Sequence, residues 1–155
     1  MCRGALRVSM VVLLASTFGG AAQDKAEAVD PNNIREAPKK FEGKTVLIKE
    51  MGMPPGGDSL TALDKKGTLF GLTLVRGSND YYFGKVLNKE GFTFVASKEL
   101  AGQLQNFRDK KAAAKLVEMN VTCKVEKRDA YWVAVVTQVE IIAVGARNIK
   151  SVIIK

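Results

Sequence analysis

The stretch that most constrains the fold is Tyr131 to Val144, which reads YWVAVVTQVEIIAV. It contains neither Gly nor Pro and is dominated by Val, Ile and aromatic residues, which predicts one long strand placed centrally in a sheet. One alternating set is Tyr131, Val133, Val135, Thr137, Val139, Ile141 and Ala143. The other begins apolar at Trp132, Ala134 and Val136, turns polar at Gln138 and Glu140, then returns to Ile142. A strand apolar on both faces for part of its length and on one face for the rest fits a curled sheet or small barrel.

The opening of the chain has a different logic. Arg3 and Arg7 flank the start of an apolar run, Val8 to Phe18, and Gly20-Ala21-Ala22 supplies small residues before Gln23. This pattern predicts a secretory signal peptide over residues 1–22 and a periplasmic or secreted destination. The run is short for a membrane span and no second one follows, so no membrane span is expected after cleavage. Residues 23–40 are polar and loosely patterned, predicting a flexible segment with a short helical turn from Pro31 to Glu36. Asp30 would cap that turn and Pro38 would stop it. Residues 41–155 then form one domain, long enough for a single core.

Charge and cysteine content narrow the chemistry. The chain has 24 Lys and Arg against 16 Asp and Glu, a net charge of +8 that falls by two when Arg3 and Arg7 leave. That balance is ordinary for a soluble domain and points only weakly to nucleic acid. Cys123 is the one cysteine outside the leader, so the domain depends on its core and not on an intrachain disulfide. Its alternation with Val121 and Val125 predicts a buried, inert thiol. The chain has no histidine. This excludes His-ligated zinc, a Ser-His-Asp triad and a Cys-His pair.

Along the domain, Thr45 to Met51 reads as a strand, and Met53-Pro54-Pro55-Gly56-Gly57-Asp58 as a loop. Further strand sequence is expected at Ser59–Leu63, at Thr68–Arg76 with a bend or a bulge at Gly71, at Tyr81–Leu87 and at Phe92–Ala96, the last three runs being either separate strands or one long strand and an embellished hairpin. A tight turn at 77–80 and a hairpin turn at 88–91 separate them. Ser97 caps a helix whose Leu100, Leu104 and Phe107 share a face, with Ala114 and Val117 extending that stripe if the helix runs on. Gln103, Gln105 and Arg108 take its other faces. Glu118 to Glu126 is a half-buried strand, a turn at 127–130 follows, and Gly145 to Asn148 ends the sheet. Ser151 to Lys155 either adds an edge strand or frays.

This order, several strands, a helix and a terminal hairpin, resembles the OB-fold, a five-stranded Greek-key barrel closed at one end by a helix. The likeness lies in Phe41-Glu42-Gly43-Lys44-Thr45-Val46, in Phe92 to Leu104 (FTFVASKELAGQL), and in Val121-Thr122-Cys123-Lys124-Val125. In particular the chain resembles exported bacterial proteins with a tRNA-anticodon-binding-like domain. The resemblance implies an all-β fold with one bridging helix, a small OB-like Greek-key barrel. Thr68 to Leu87 departs from it by supplying more strand than five strands need.

The corresponding function is a non-catalytic exported binding or interaction module for an oligoanion. Cations for phosphates and flat rings for bases are the side chains such a groove needs. The candidate ligand-binding set is Arg76, Tyr82, Lys85, Lys124, Arg128 and Trp132. The partner is then a polyanionic envelope component or an unknown protein, with nucleic acid weakly supported. The alternative is a protein-docking scaffold using a sheet edge or the Pro-Gly loop. A histidine-free enzyme ranks last, because no carboxylate pair is placed for proton transfer. Neither a calcium loop nor a phosphate loop is present, so no cofactor or metal is expected.

Overall fold

A computed structural model describes residues 26–56, 59–76, 80–82 and 92–155. The predicted leader over residues 1–22, residues 77–79 of the predicted turn at 77–80, Lys85 and the predicted hairpin turn at 88–91 lie outside the described residues. The chain runs β1 (Glu27–Ala28), α1 (Pro31–Glu36), a 3-10 turn (Pro38–Phe41), β2 (Thr45–Met53), β3 (Leu60–Ala62), β4 (Leu69–Leu72) and β5 (Leu74–Arg76). Then come β6 (Asp80–Tyr82), β7 (Phe92–Ser97), α2 (Lys98–Phe107), a π-helical turn (Arg108–Ala112), β8 (Val117–Arg128), β9 (Tyr131–Val144) and β10 (Arg147–Ile154).

The predicted central strand is β9, with the expected bounds. It pairs antiparallel with β8 along its length, from Val117 opposite Val144 to Arg128 opposite Tyr131. On its other side it pairs first with β7, in parallel from Phe92–Trp132 to Val95–Val135. Farther along, that same side takes β10, antiparallel from Ile154–Val139 to Arg147–Val144. Three strands therefore depend on one.

The sheet is not a closed barrel. Its strands follow the path β3-β4-β7-β9-β8-β2-β5-β6, with β1 added beside β2 and β10 beside β9. The terminal strands β3 and β6 do not pair with each other, so the sheet is open, and β1–β2 and β7–β9 make it mixed. The OB-like Greek-key barrel, and with it the likeness to exported tRNA-anticodon-binding-like proteins, is corrected to an open mixed sheet with a small helical region.

The physical reason lies between residues 68 and 76. The expected single run with a bend at Gly71 breaks instead at Thr73, whose N–H donates to the Ser59 carbonyl at 2.9 Å. Gly71 stays inside β4, opposite Thr61 on one side and Val95 on the other. β4 then pairs with β3 and β7, whereas β5 pairs with β2 and β6. The two arms are joined by a backbone corner at Thr73 and not by a ladder between their outer strands.

Side chains from both arms meet in one core containing Ile34, Ile48, Phe94, Leu104, Met119 and Ile141, all fully buried. Helix α2 contributes Leu100, Ala101 and Leu104 to it, with Phe107 at the margin. Each fully buried leucine of this kind stabilises by about 2 kcal/mol. Ser97 caps the helix as expected, its Oγ accepting the Leu100 N–H at 3.2 Å. The helix does not extend to Ala114 and Val117. It passes into the π-helical turn, stops at Ala113 (φ 45°), and Val117 opens β8. The Val117 to Val125 alternation wins here, because every second residue of it is buried.

Residues before β2 join this packing. Val29 N–H donates to the Leu47 carbonyl at 2.9 Å, and Asp30 Oδ1 accepts the Asn32 N–H at 2.8 Å to cap α1. Ile34 projects from α1 into the core. At the other end Gly145 to Asn148 does not end the sheet. Gly145 (φ 56°) and Ala146 (φ 62°) form a two-residue turn of the kind that matches strand twist, and β10 returns along β9. No helix among the described residues is long and apolar enough to cross a membrane.

Candidate functional site

The cations of the predicted oligoanion set are dispersed. Arg76, at the end of β5, forms an ion pair with Asp30 at 2.7 Å. Lys124 and Arg128 both approach Glu126, at 3.7 and 3.6 Å. These pairs are solvent-accessible and contribute about 0–1 kcal/mol each, but they place a carboxylate beside each cation. Lys124 lies opposite Thr45 of β2, while Val75, next to Arg76, lies opposite Gly52. Seven residues of strand separate those β2 positions, roughly 20 Å. The Arg76 side chain lines a groove with Asp30, Leu47 and Lys49, and β5 flanks β2 on the side away from β8, which carries Lys124 and Arg128.

Trp132 does not join Lys124 and Arg128 on one face. It stands in register with Lys127, whose Nζ lies 5.9 Å from the ring centroid. Lys127 alternates with Lys124, Glu126 and Arg128 along β8, and Trp132 packs against the margin of the core. Tyr82 is placed by its backbone pairing with Leu74. Lys85 lies outside the described residues.

The Pro-Gly loop is tied down from inside. Ser59 Oγ donates to the Pro54 carbonyl at 2.6 Å, and Arg108 Nη1 donates to the Gly56 carbonyl at 2.7 Å. Arg108 also donates from Nη2 to Gln105 Oε1 at 2.6 Å and is 5% exposed. Sequence reasoning placed Arg108 on a polar helix face, and no local pattern separated it from Lys110 and Lys111. Burial of a guanidinium requires hydrogen-bonding partners, and here a loop carbonyl distant in sequence supplies one. The described part of the loop, up to Gly56, is thereby joined to Arg108 and to Ser59.

The edge formed by β10 differs from both. Its neighbour in the sheet is β9 on one side only. Val152 and Ile153 are 37% and 57% exposed, the large exposed hydrophobic residues among the described ones. Ile154 turns into the core, and Gln103 Nε2 of α2 donates to the Lys155 carbonyl at 3.2 Å. Between β10 and the end of α2 runs a groove of about 310 Å³ lined by Phe107, Val152 and Ile154 together with Gln103, Lys110 and Lys111. A strand at an edge directs alternate N–H and C=O groups outward, so this groove combines unpaired backbone with apolar side chains. A second groove, about 330 Å³, separates α2 from Leu60 and Phe70.

Among the described residues no group of three or more His, Cys, Asp or Glu is placed to hold a metal ion. Burial pushes the Cys123 thiol up to about 12, so the nucleophilic thiolate is disfavoured at neutral pH. Asp64 is held below its ordinary value first by the Thr68 hydroxyl, then by backbone N–H groups of Thr68 and Leu69. That arrangement organises the β3–β4 turn. Comparison with protein-family models, curated proteins and solved structures finds no match.

Proposed function

We propose that this protein is an exported, non-catalytic docking module that accepts an extended segment of another protein along β10. The supporting observation is the free β10 edge, where Val152 and Ile153 are exposed beside an apolar groove. Strand addition draws affinity from main-chain hydrogen bonds and selectivity from pockets for alternate side chains, and this edge offers both. The export assignment rests on the leader pattern of residues 1–22. The oligoanion reading has less behind it, because Arg76 and the Lys124–Arg128 pair lie on opposite sides of β2 and each cation stands beside a carboxylate.

The reading is tested by a photoreactive benzoylphenylalanine placed at Ile153, with Glu99 on the outside of α2 as the control position. A discrete adduct from Ile153 alone is expected, and the purified adducted partner must slow amide exchange at Val152–Ile154 when added to the unmodified protein. Equal labelling from both positions, or unchanged exchange along β10, overturns the proposal. Salt-sensitive binding of DNA, RNA or an envelope polyanion that is lost on changing Lys124 and Arg128 would restore the oligoanion reading in its place.

A further inference from the structure

We infer that the segment received by the β10 edge is acidic, an extended strand in which apolar residues alternate with Asp or Glu. This inference rests on the docking reading and specifies its partner. The β10 region, Arg147 to Lys155, reads RNIKSVIIK and holds three basic side chains and no acidic one. Facing it across the groove, the π-helical turn presents Lys110 and Lys111, both exposed. The nearby Asp109 carboxylate is engaged by Gln105 Nε2 at 2.8 Å. The groove is lined by Lys110 and Lys111 on the helix side and by Val152, Ile153 and Ile154 on the strand side, with Lys150 and Lys155 flanking those strand residues in sequence.

Charge decides between the occupants of such an edge. A second copy of this chain would align one RNIKSVIIK segment with another and bring Arg147, Lys150 and Lys155 of both into one ladder. Like charges across paired strands are destabilising, and edge lysines are a common means of preventing self-association. The same cations attract a strand of opposite charge, and Lys110 and Lys111 are placed to receive its carboxylates. The groove thus opposes self-pairing and favours an acidic strand through one set of residues.

The experiment uses the mature chain with three blocked peptide probes: alternating Val and Glu, alternating Val and Lys, and the Val-Glu peptide with N-methylated alternate amides. Binding is followed by fluorescence anisotropy and amide exchange at Val152–Ile154. The Val-Glu peptide is expected to bind at least about tenfold more tightly than the Val-Lys peptide, weakening from about 50 to about 300 mM salt. N-methylation should abolish the exchange protection, because it removes the ladder donors. The double variant Lys110→Glu/Lys111→Glu changes two exposed side chains and should reverse the preference, while unchanged exchange along β9 reports an intact fold. Equal protection of β10 by both charged peptides overturns the acidic assignment and leaves strand docking standing. Protection of β10 by neither peptide overturns both. Self-association of the free chain through β10 would replace the acidic partner with a second copy.

Discussion

Replacing Ile34 by Ala tests whether the segment before β2 is integral to the fold. Ile34 has no exposed surface and enters the same core as Ile48, Met119 and Ile141. The change removes three side-chain carbons, worth about 2.4 kcal/mol at roughly 0.8 kcal/mol each. A partly relaxed cavity brings the total to about 3 kcal/mol, near 10 °C in melting temperature for a domain of this size. α1 has only six residues and is held by the Asp30 cap, the Asp30–Arg76 pair and the Ile34 contact. Its loss of packing is therefore bounded by the free energy of releasing the whole segment. Ile48→Ala, in the interior of β2, has no such release route and should cost at least as much. Urea denaturation of the two variants separates these cases, because release of α1 from the native state lowers the m-value as well as the midpoint. An Ile34→Ala cost below about 0.5 kcal/mol, beside a normal Ile48→Ala cost of about 3 kcal/mol, would refute the reasoning.

Cys123 should resist iodoacetamide in the native protein at neutral pH and react once urea unfolds it, as measured by mass spectrometry. Because its folded-state value is raised from 9.0 to about 12, its contribution to stability is intact below pH 9 and is lost as pH rises through that window. The loss approaches about 1.4 kcal/mol per pH unit, and Cys123→Ala should flatten that alkaline limb relative to wild type in pH-dependent melts. Ala146 occupies a left-handed position at φ 62°, so Ala146→Gly should stabilise by up to about 1 kcal/mol in chemical denaturation. Gly145→Ala should destabilise by about 1–2 kcal/mol, since it adds left-handed strain and brings a Cβ to 2.9 Å from Lys115 Cδ. For Asp64, whose value is depressed, the benefit holds above its unfolded value and disappears as pH falls through the folded one. Asp64→Asn should remove that acid dependence and speed amide exchange at Thr68 and Leu69.

The parts of this fold that local pattern encodes were readable. Tyr131 to Val144 carries fourteen residues without a breaker, Ser97 caps a periodic apolar stripe, and Asp30-Pro31 starts a short helix. The break at Thr73 has no local signal. It depends on the distant Ser59 carbonyl, whereas Gly71 attracted the bend because glycine is locally permissive. The barrel closure inferred from strand order required knowing which strands pair, and a division of Thr68 to Arg76 between two arms cannot be seen in alternation alone. The candidate site divided similarly. Alternation placed Lys124 on the polar face of the Glu118–Glu126 strand, but Arg128 was assigned to a turn, and the position of Arg76 on the far side of β2 follows from the Val75–Gly52 register. The β10 edge was visible as a short apolar tail. Its groove was not, since Phe107, Lys110 and Lys111 reach it from across the fold.

The dependence of β7, β8 and β10 on β9 has a consequence for the timing of biogenesis. Until Val117 to Val144 has left the ribosome, β2 lacks its long β8 partner and β7 its β9 partner. A nascent chain stopped before Val117 is expected to hold only short pairings and to be digested rapidly by added protease. One released after Val144 should resist. A chain that acquires its central strands last stays extended through most of its synthesis, so its folding is timed by the emergence of its distal end.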